Sequence, residues 1–191
     1  MPSRRGERQN SPEVKKPWAA ALGNEDKIMS NTLITYMHDH LAGARFAISL
    51  LQTLREDREN IAVKNLAEEL LYEIEEDRQV LEHLADKIGQ PQNKLKEGAA
   101  WLAQKASLWK LGSDGASLST FEALETLSLG IMGKLALWRA LRVLQSEEPI
   151  LFETNFEHLC KRAERQFFRV ERMRIKLVPK VLSSDSEFAV A

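Results

Sequence analysis

The feature that most constrains this chain is the stretch Leu66–Ile88, LAEELLYEIEEDRQVLEHLADKI. Its apolar residues Leu66, Leu70, Ile74, Leu81, Leu84 and Ile88 recur at alternating steps of three and four, with a single gap. That spacing is the apolar stripe of a long amphipathic helix facing a bundle core. Asp77 fills the gap, and Glu73, Glu75 and Glu76 stand beside it. A carboxylate on a core-facing stripe needs a partner, because an isolated buried charge is too costly to keep. At this stage the partner is open. A metal site, a buried ion pair and a solvated face all fit the pattern.

Three further stripes have the same period. The first helix is expected from about Asn24–Asn31 to Glu56, with Leu33, Met37, His40, Ala44, Ala47, Leu51 and Leu54 on its core side. This is the seam of a left-handed bundle, with His40 in a stripe position. Gly43 and Ala44 predict close approach by a neighbouring helix, as do Gly130 and Gly133 further on. A short charged turn, with Asn60 as N-cap, leads into the second helix, so the first two helices form an antiparallel hairpin. Folding that hairpin brings His40 level with Glu73–Asp77. The second helix stops at Gly89 and Pro91.

Residues 89–118 form a connector with a shorter helix, Lys94 to about Lys110. The preceding helix is about 42 Å long, and a connector of this size can just retrace that distance. The third long helix opens with a capping box, Ser119–Glu122, and runs to about Ser146. Its stripe is Phe121, Leu124, Ser128, Ile131, Leu135 and Trp138. The fourth opens with a second capping box, Thr154–Glu157, and runs to about Val178, with Pro179 near its end. Its stripe is Phe156, Cys160, Ala163, Phe167, Val170, Arg174 and Leu177. The expected layout is an arm over 1–23, one helical domain over 24–182 and a loose tail over 183–191.

Composition excludes several classes. Charged residues are 29% and the net charge is −1, so bulk charge selects neither nucleic acid nor a membrane as partner. The longest apolar run, Leu127–Trp138, is broken by Lys134 and is too short to span a bilayer. The polar N-terminus lacks the apolar segment of an export signal, and the expected location is the cytoplasm. The single cysteine, Cys160, cannot form an intrachain disulfide and sits on a core stripe as a small hydrophobe. Trp101, Trp109 and Trp138 are expected to anchor packing under the connector. No Gly-rich phosphate loop or serine-nucleophile motif is present, and no catalytic residue is assigned.

Four long helices, two hairpins and one long connection predict an all-α, ferritin-like four-helix bundle with a helical crossover between helices 2 and 3. Three stretches carry a resemblance: Tyr36-Met-His-Asp-His-Leu-Ala-Gly-Ala44, Glu73-Ile-Glu-Glu-Asp-Arg-Gln-Val-Leu-Glu-His83 and Gly130-Ile-Met-Gly-Lys-Leu-Ala-Leu-Trp138. They resemble those of functionally uncharacterised bacterial ferritin-like four-helix-bundle proteins, over roughly residues 30–178. The resemblance implies a fold and no activity. Di-iron members of the ferritin-like class use a Glu from each of two helices and Glu-x-x-His from the other two. The histidines here are His38, His40, His83 and His158, and the residues three before them are Thr35, Met37, Val80 and Asn155. The standard di-iron ligand set is therefore absent. A divergent site for Fe or Mn remains open on His40, Glu73, Glu76, Asp77, Glu122 and Glu125. The competing reading is a polar network, with His40 bonded to Asp77 or Glu73 and Glu125 paired with Arg174.

The fourth helix also carries a basic stripe, Arg162, Arg165, Arg169, Arg172 and Lys176. Such a face can bind a polyanion through phosphate contacts. It can equally pair with the acids of the second helix, its antiparallel neighbour in a crossover bundle, or join two copies of the chain. Phe167 and Phe168 are read as lying off the basic face, which makes nucleic acid the less favoured occupant. The resulting expectation is a non-enzymatic protein-association module, with a homodimer as one form of that association. A metal-binding or redox bundle and a polyanion-binding module are the alternatives.

Overall fold

A computed structural model describes residues 17–88 and 116–183, with side chains described over 31–88 and 118–183. The described residues form four long helices and no strand. They are α1 (Pro17–Arg55), α2 (Ile61–Ile88), α3 (Ala116–Leu144) and α4 (Phe156–Leu182), with a short 3-10 turn at Pro149–Leu151 before α4. The connector helix expected over 94–110, the packing of Trp101 and Trp109, and the tail beyond 183 lie outside the described residues.

Several helix ends differ from the sequence reading. α1 begins at Pro17, inside the stretch read as an arm. Proline fits the first helical turn, where its missing N–H would have no partner anyway. α3 begins at Ala116, so Ser119 lies inside the helix rather than capping it. α4 is capped by Asn155, one position after the expected Thr154, and the Asn155 side chain accepts from the His158 N–H at 3.0 Å. α4 also continues through Pro179 to Leu182, since one lost backbone bond is tolerated in a last, exposed turn. Asn60 caps α2 as expected, accepting from the Val63 N–H at 3.2 Å.

Two polar anchors lock the turns. Asp57 Oδ1 accepts from the N–H groups of Glu59 and Asn60, both at 2.9 Å. Its other oxygen accepts from the Thr120 hydroxyl at 3.0 Å, which ties the α1–α2 turn to the first turns of α3. At the other hairpin Gln145 Nε2 donates to the carbonyls of Leu151, Phe152 and Thr154 at 2.9, 3.2 and 2.9 Å. These bonds satisfy backbone groups that the turn leaves without helical partners.

The side-chain pairs fix the helix directions. Lys134 meets Gln166, Arg139 meets Glu164 and Arg174 meets Glu125, so α3 and α4 are antiparallel. Arg162 meets Glu76 and Arg169 meets Glu69, so α2 and α4 are antiparallel too. Thr120 meets Asp57 while Lys134 meets Asp77, so α2 and α3 run parallel and start at the same end. α1 packs against α2 and α3, and α4 against α3 and α2.

The core follows the stripes of α2 and α3 closely. Leu66, Leu70, Ile74, Asp77, Leu81 and Leu84 of α2 are buried, as is the whole α3 stripe from Phe121 to Trp138. Trp138 stacks on Phe156 of α4 with ring centroids 6.2 Å apart. Each fully buried side chain of this size contributes about 1.5–3 kcal/mol. In α1 the buried face is rotated from the expected one. Ile34, Met37, Leu41, Leu51 and Leu54 are buried, while His40, Ala44 and Ala47 are half-buried. The expected tight contacts at Gly43, Gly130 and Gly133 are not formed, for a Cβ built at any of them meets nothing within 4 Å. Cys160 is buried in the core, and burial pushes its thiol pKa up, as the small-hydrophobe reading requires.

Candidate functional site

The charged centre of the bundle is built on Asp77, whose side chain is 1% exposed. Its Oδ2 accepts from Lys134 Nζ at 2.5 Å and from Gln166 Nε2 at 3.4 Å. Its Oδ1 accepts from the Arg162 guanidinium. Lys134 also donates to Gln166 Oε1 at 2.6 Å, so three helices meet in one hydrogen-bonded cluster. Arg162 extends the cluster outward to Glu76 at 2.8 Å. Two turns further along α4, Arg169 bridges Glu73 at 2.6 Å and Glu69 at 2.5 Å, while Gln166 Nε2 donates to Glu73 at 3.0 Å. The gap in the α2 stripe is thus filled by an ion-pair network reaching in from α3 and α4.

The electrostatics follow from burial and pairing. Burial pushes the Lys134 ammonium below its usual range, and the adjacent Asp77 carboxylate opposes that shift. Burial alone would raise Glu73, but hydrogen bonds from Gln166 and Arg169 and the charge of Arg169 hold it below the usual carboxylate range. Desolvating charges this deeply is expensive, and it is tolerated because nearly every lone pair and proton has a partner. Arg162 Nε is the exception, a buried donor with no partner among the described residues.

The six residues of the divergent metal reading fare differently. His40 and Asp77 line one cavity, as folding the first hairpin predicts. His40 packs edge-on against Tyr36 at 4.7 Å between ring centroids, and burial lowers its pKa. Asp77, however, draws its partners from Lys134, Arg162 and Gln166 rather than from His40. Glu73 and Glu76 turn to the cations of α4. Glu122 and Glu125 are exposed on α3, and Glu125 meets Arg174 at 3.4 Å, the pairing expected of a polar network. Among the described residues no group of three or more His, Cys, Asp or Glu is arranged to hold a metal ion. Lys134 and Arg162 already supply the positive charge at Asp77, so the donor set as arranged does not fit a di-metal centre.

The basic stripe divides in two. Arg162 and Arg169 turn inward to the acids of α2. Arg165, Arg172 and Lys176 are exposed and have no ion-pair partner among the described residues. Phe168, expected off the basic face, is 63% exposed and lies one turn from Arg165 and from Arg172. Arg174, expected on the core stripe, is half-buried and bonds Glu171 at 2.6 Å while its guanidinium lies over the Phe121 ring.

Sequence reasoning missed Lys134 and Gln166. Lys134 was legible only as the break in an apolar run, yet a lysine there has to find a buried acid. Gln166 follows Ala163 by three and precedes Val170 by four, so the stripe spacing admits it as readily as Phe167, and only its polarity hid it. Among the described residues no helix is long and apolar enough to cross a membrane. Comparison with family models, with curated proteins and with solved structures finds no match to this chain.

Proposed function

We propose that this chain is a ferritin-like four-helix bundle with a helical crossover between α2 and α3, that it is not an enzyme, and that it acts by protein association, as a homodimer formed through the outer face of α4. Two observations support the bundle part of this reading. α2 and α3 start at the same end, so the end of α2 and the start of α3 lie at opposite ends of the bundle, which is the arrangement a crossover serves. The second is that polar side chains of α2, α3 and α4 meet in the bundle interior, where bundle proteins build their sites from facing helices.

The observation that carries the association is what internal pairing leaves over on α4. Phe168, Ile175 and Leu182 form an exposed row at seven-residue spacing, 63%, 52% and 58% exposed. Arg165 and Arg172 flank it on one side and Glu164 and Glu171 on the other. Both glutamates accept one arginine within the chain, and a carboxylate has room for more. An apolar row between an acidic and a basic flank is self-complementary. Two copies of α4 running the same way set the acidic flank of one against the basic flank of the other.

Light scattering of the full chain over a concentration series tests this. The expected result is a dimer that weakens as salt rises, and a monomer for Phe168→Glu/Ile175→Glu with unchanged helicity. A monomer at every concentration sinks the dimer. A monomer that binds a DNA duplex through Arg165, Arg172 and Lys176, with affinity falling steeply in salt, puts a polyanion in its place.

A further inference from the structure

On the side of the bundle away from α4, a cavity of about 500 Å³ lies between α1, α2 and α3. Close-packed interiors have few voids larger than a water molecule, whereas small-molecule sites run to about 300–1,000 Å³. Its walls are mainly apolar, from Phe46 and Leu50 of α1, Leu81 of α2, and Leu127, Ile131 and Leu137 of α3. Gly43 and Gly130 line it from facing helices and are themselves exposed, so they mark its opening. A Cβ at either meets nothing within 4 Å, so a larger side chain there has room at the mouth.

The polar lining is Lys134, Asp77, His40, Thr126 and Arg78, whose guanidinium is held by Glu75 and Glu82, together with Trp138, whose buried Nε1–H has no partner among the described residues. The Lys134 ammonium has three protons and donates two, to Asp77 at 2.5 Å and to Gln166 at 2.6 Å. The third has no acceptor among the described residues. Both oxygens of Asp77 are engaged. His40 is held toward its neutral form by burial, which leaves its ring one donor and one acceptor. An anionic ligand would stand beside the Asp77 carboxylate and beside cations already neutralised, Lys134 by Asp77 and Arg78 by Glu75 and Glu82, and would lose its hydration for little gain. A neutral oxygen meets no such penalty.

We infer that this cavity is a binding site for a small, neutral, largely hydrocarbon molecule with one hydroxyl or carbonyl oxygen, the chain in the apolar walls and the oxygen at Lys134 and His40. The site shares no residue with the association face of α4, so either proposal can fail without the other.

1-Octanol is the probe, titrated into the full chain and followed by calorimetry and by backbone amide shifts, with octanoate as the charged counterpart. Saturable one-to-one binding is expected, with the largest shifts around Gly43, Gly130 and Lys134. Octanoate should bind about tenfold more weakly or worse. Gly130→Leu replaces a poor helix former with a good one, so it should fold, and it should weaken octanol binding at least about tenfold by occupying the opening. Absence of saturable binding up to the solubility limit overturns the inference. So does octanoate binding as tightly as octanol, or octanol binding that Gly130→Leu leaves unchanged.

Discussion

The α2–α4 seam and the α1–α3 seam belong to one bundle and are filled by opposite means. Between α2 and α4, Arg162 and Arg169 reach across to Glu69, Glu73, Glu76 and Asp77. Between α1 and α3 the facing residues include Gly43, Ala44, Ala47 and Gly130, and the space beside them stays open. Long charged side chains fill one seam, and short ones leave the space beside them open in the other. Lys134 belongs to both regions, since it lines the cavity and anchors the network. The comparison teaches that small residues on facing helices do not by themselves bring about tight packing between them.

The sharpest way to break this contrast is to remove the centre of the filled seam. Asp77→Ala leaves Lys134 and Arg162 buried without their shared acid. The expected loss is about 3–5 kcal/mol, read by urea unfolding. A loss below about 1 kcal/mol would mean that the network is solvated and carries little of the fold. Asp77→Leu combined with Lys134→Met should be far less damaging than the sum of the single changes, because it removes both charges together.

The open seam should respond in the other direction. Gly130→Ala adds a methyl group where nothing lies within 4 Å and replaces a poor helix former with the best one. A gain of about 1 kcal/mol is expected, measured as a raised midpoint of thermal unfolding. A loss would show that the helices do press together at this point.

The smallest effect sharpens the electrostatic side of the comparison. The folded state holds Glu73 below the usual carboxylate range, so the unfolded chain binds a proton more readily on acidification. The stability Glu73 contributes is therefore fully present above its unfolded pKa and is lost as pH falls through its lower, folded one. Chemical unfolding across the acid range should show this decline, and Glu73→Gln should make it shallower. An unchanged acid limb would mean that Arg169 and Gln166 do not hold Glu73 in solution.

How much of this was legible in the sequence depends on the interaction. The α2 stripe, its break at Asp77 and the Asn60 cap are local patterns, and all three are where the sequence puts them. The facing of α2 acids and α4 bases followed from charge pattern and hairpin geometry. Helix starts were less legible. Ser119 and Thr154 look like caps, but flanking residues extend one helix past Ser119, and Asn155 outcompetes Thr154 for the other. The rotation of the α1 face could not be read, because small and apolar residues alternate around that helix and several stripes fit equally well.

The sequence by itself determined four amphipathic helices, the turns that join two pairs of them, and the presence of a buried acid that needs a partner. Periodicity, caps and the cost of an isolated charge act within one helix or between neighbours along the chain, so they can be read in one dimension. Only the tertiary structure decided which residues answer Asp77. Lys134 lies 57 positions away and Arg162 85. Their choice over His40 depends on the directions, spacing and rotation of three packed helices. The same packing left the space between α1, α2 and α3 open, because a cavity is a property of three facing surfaces and no single helix pattern encodes it.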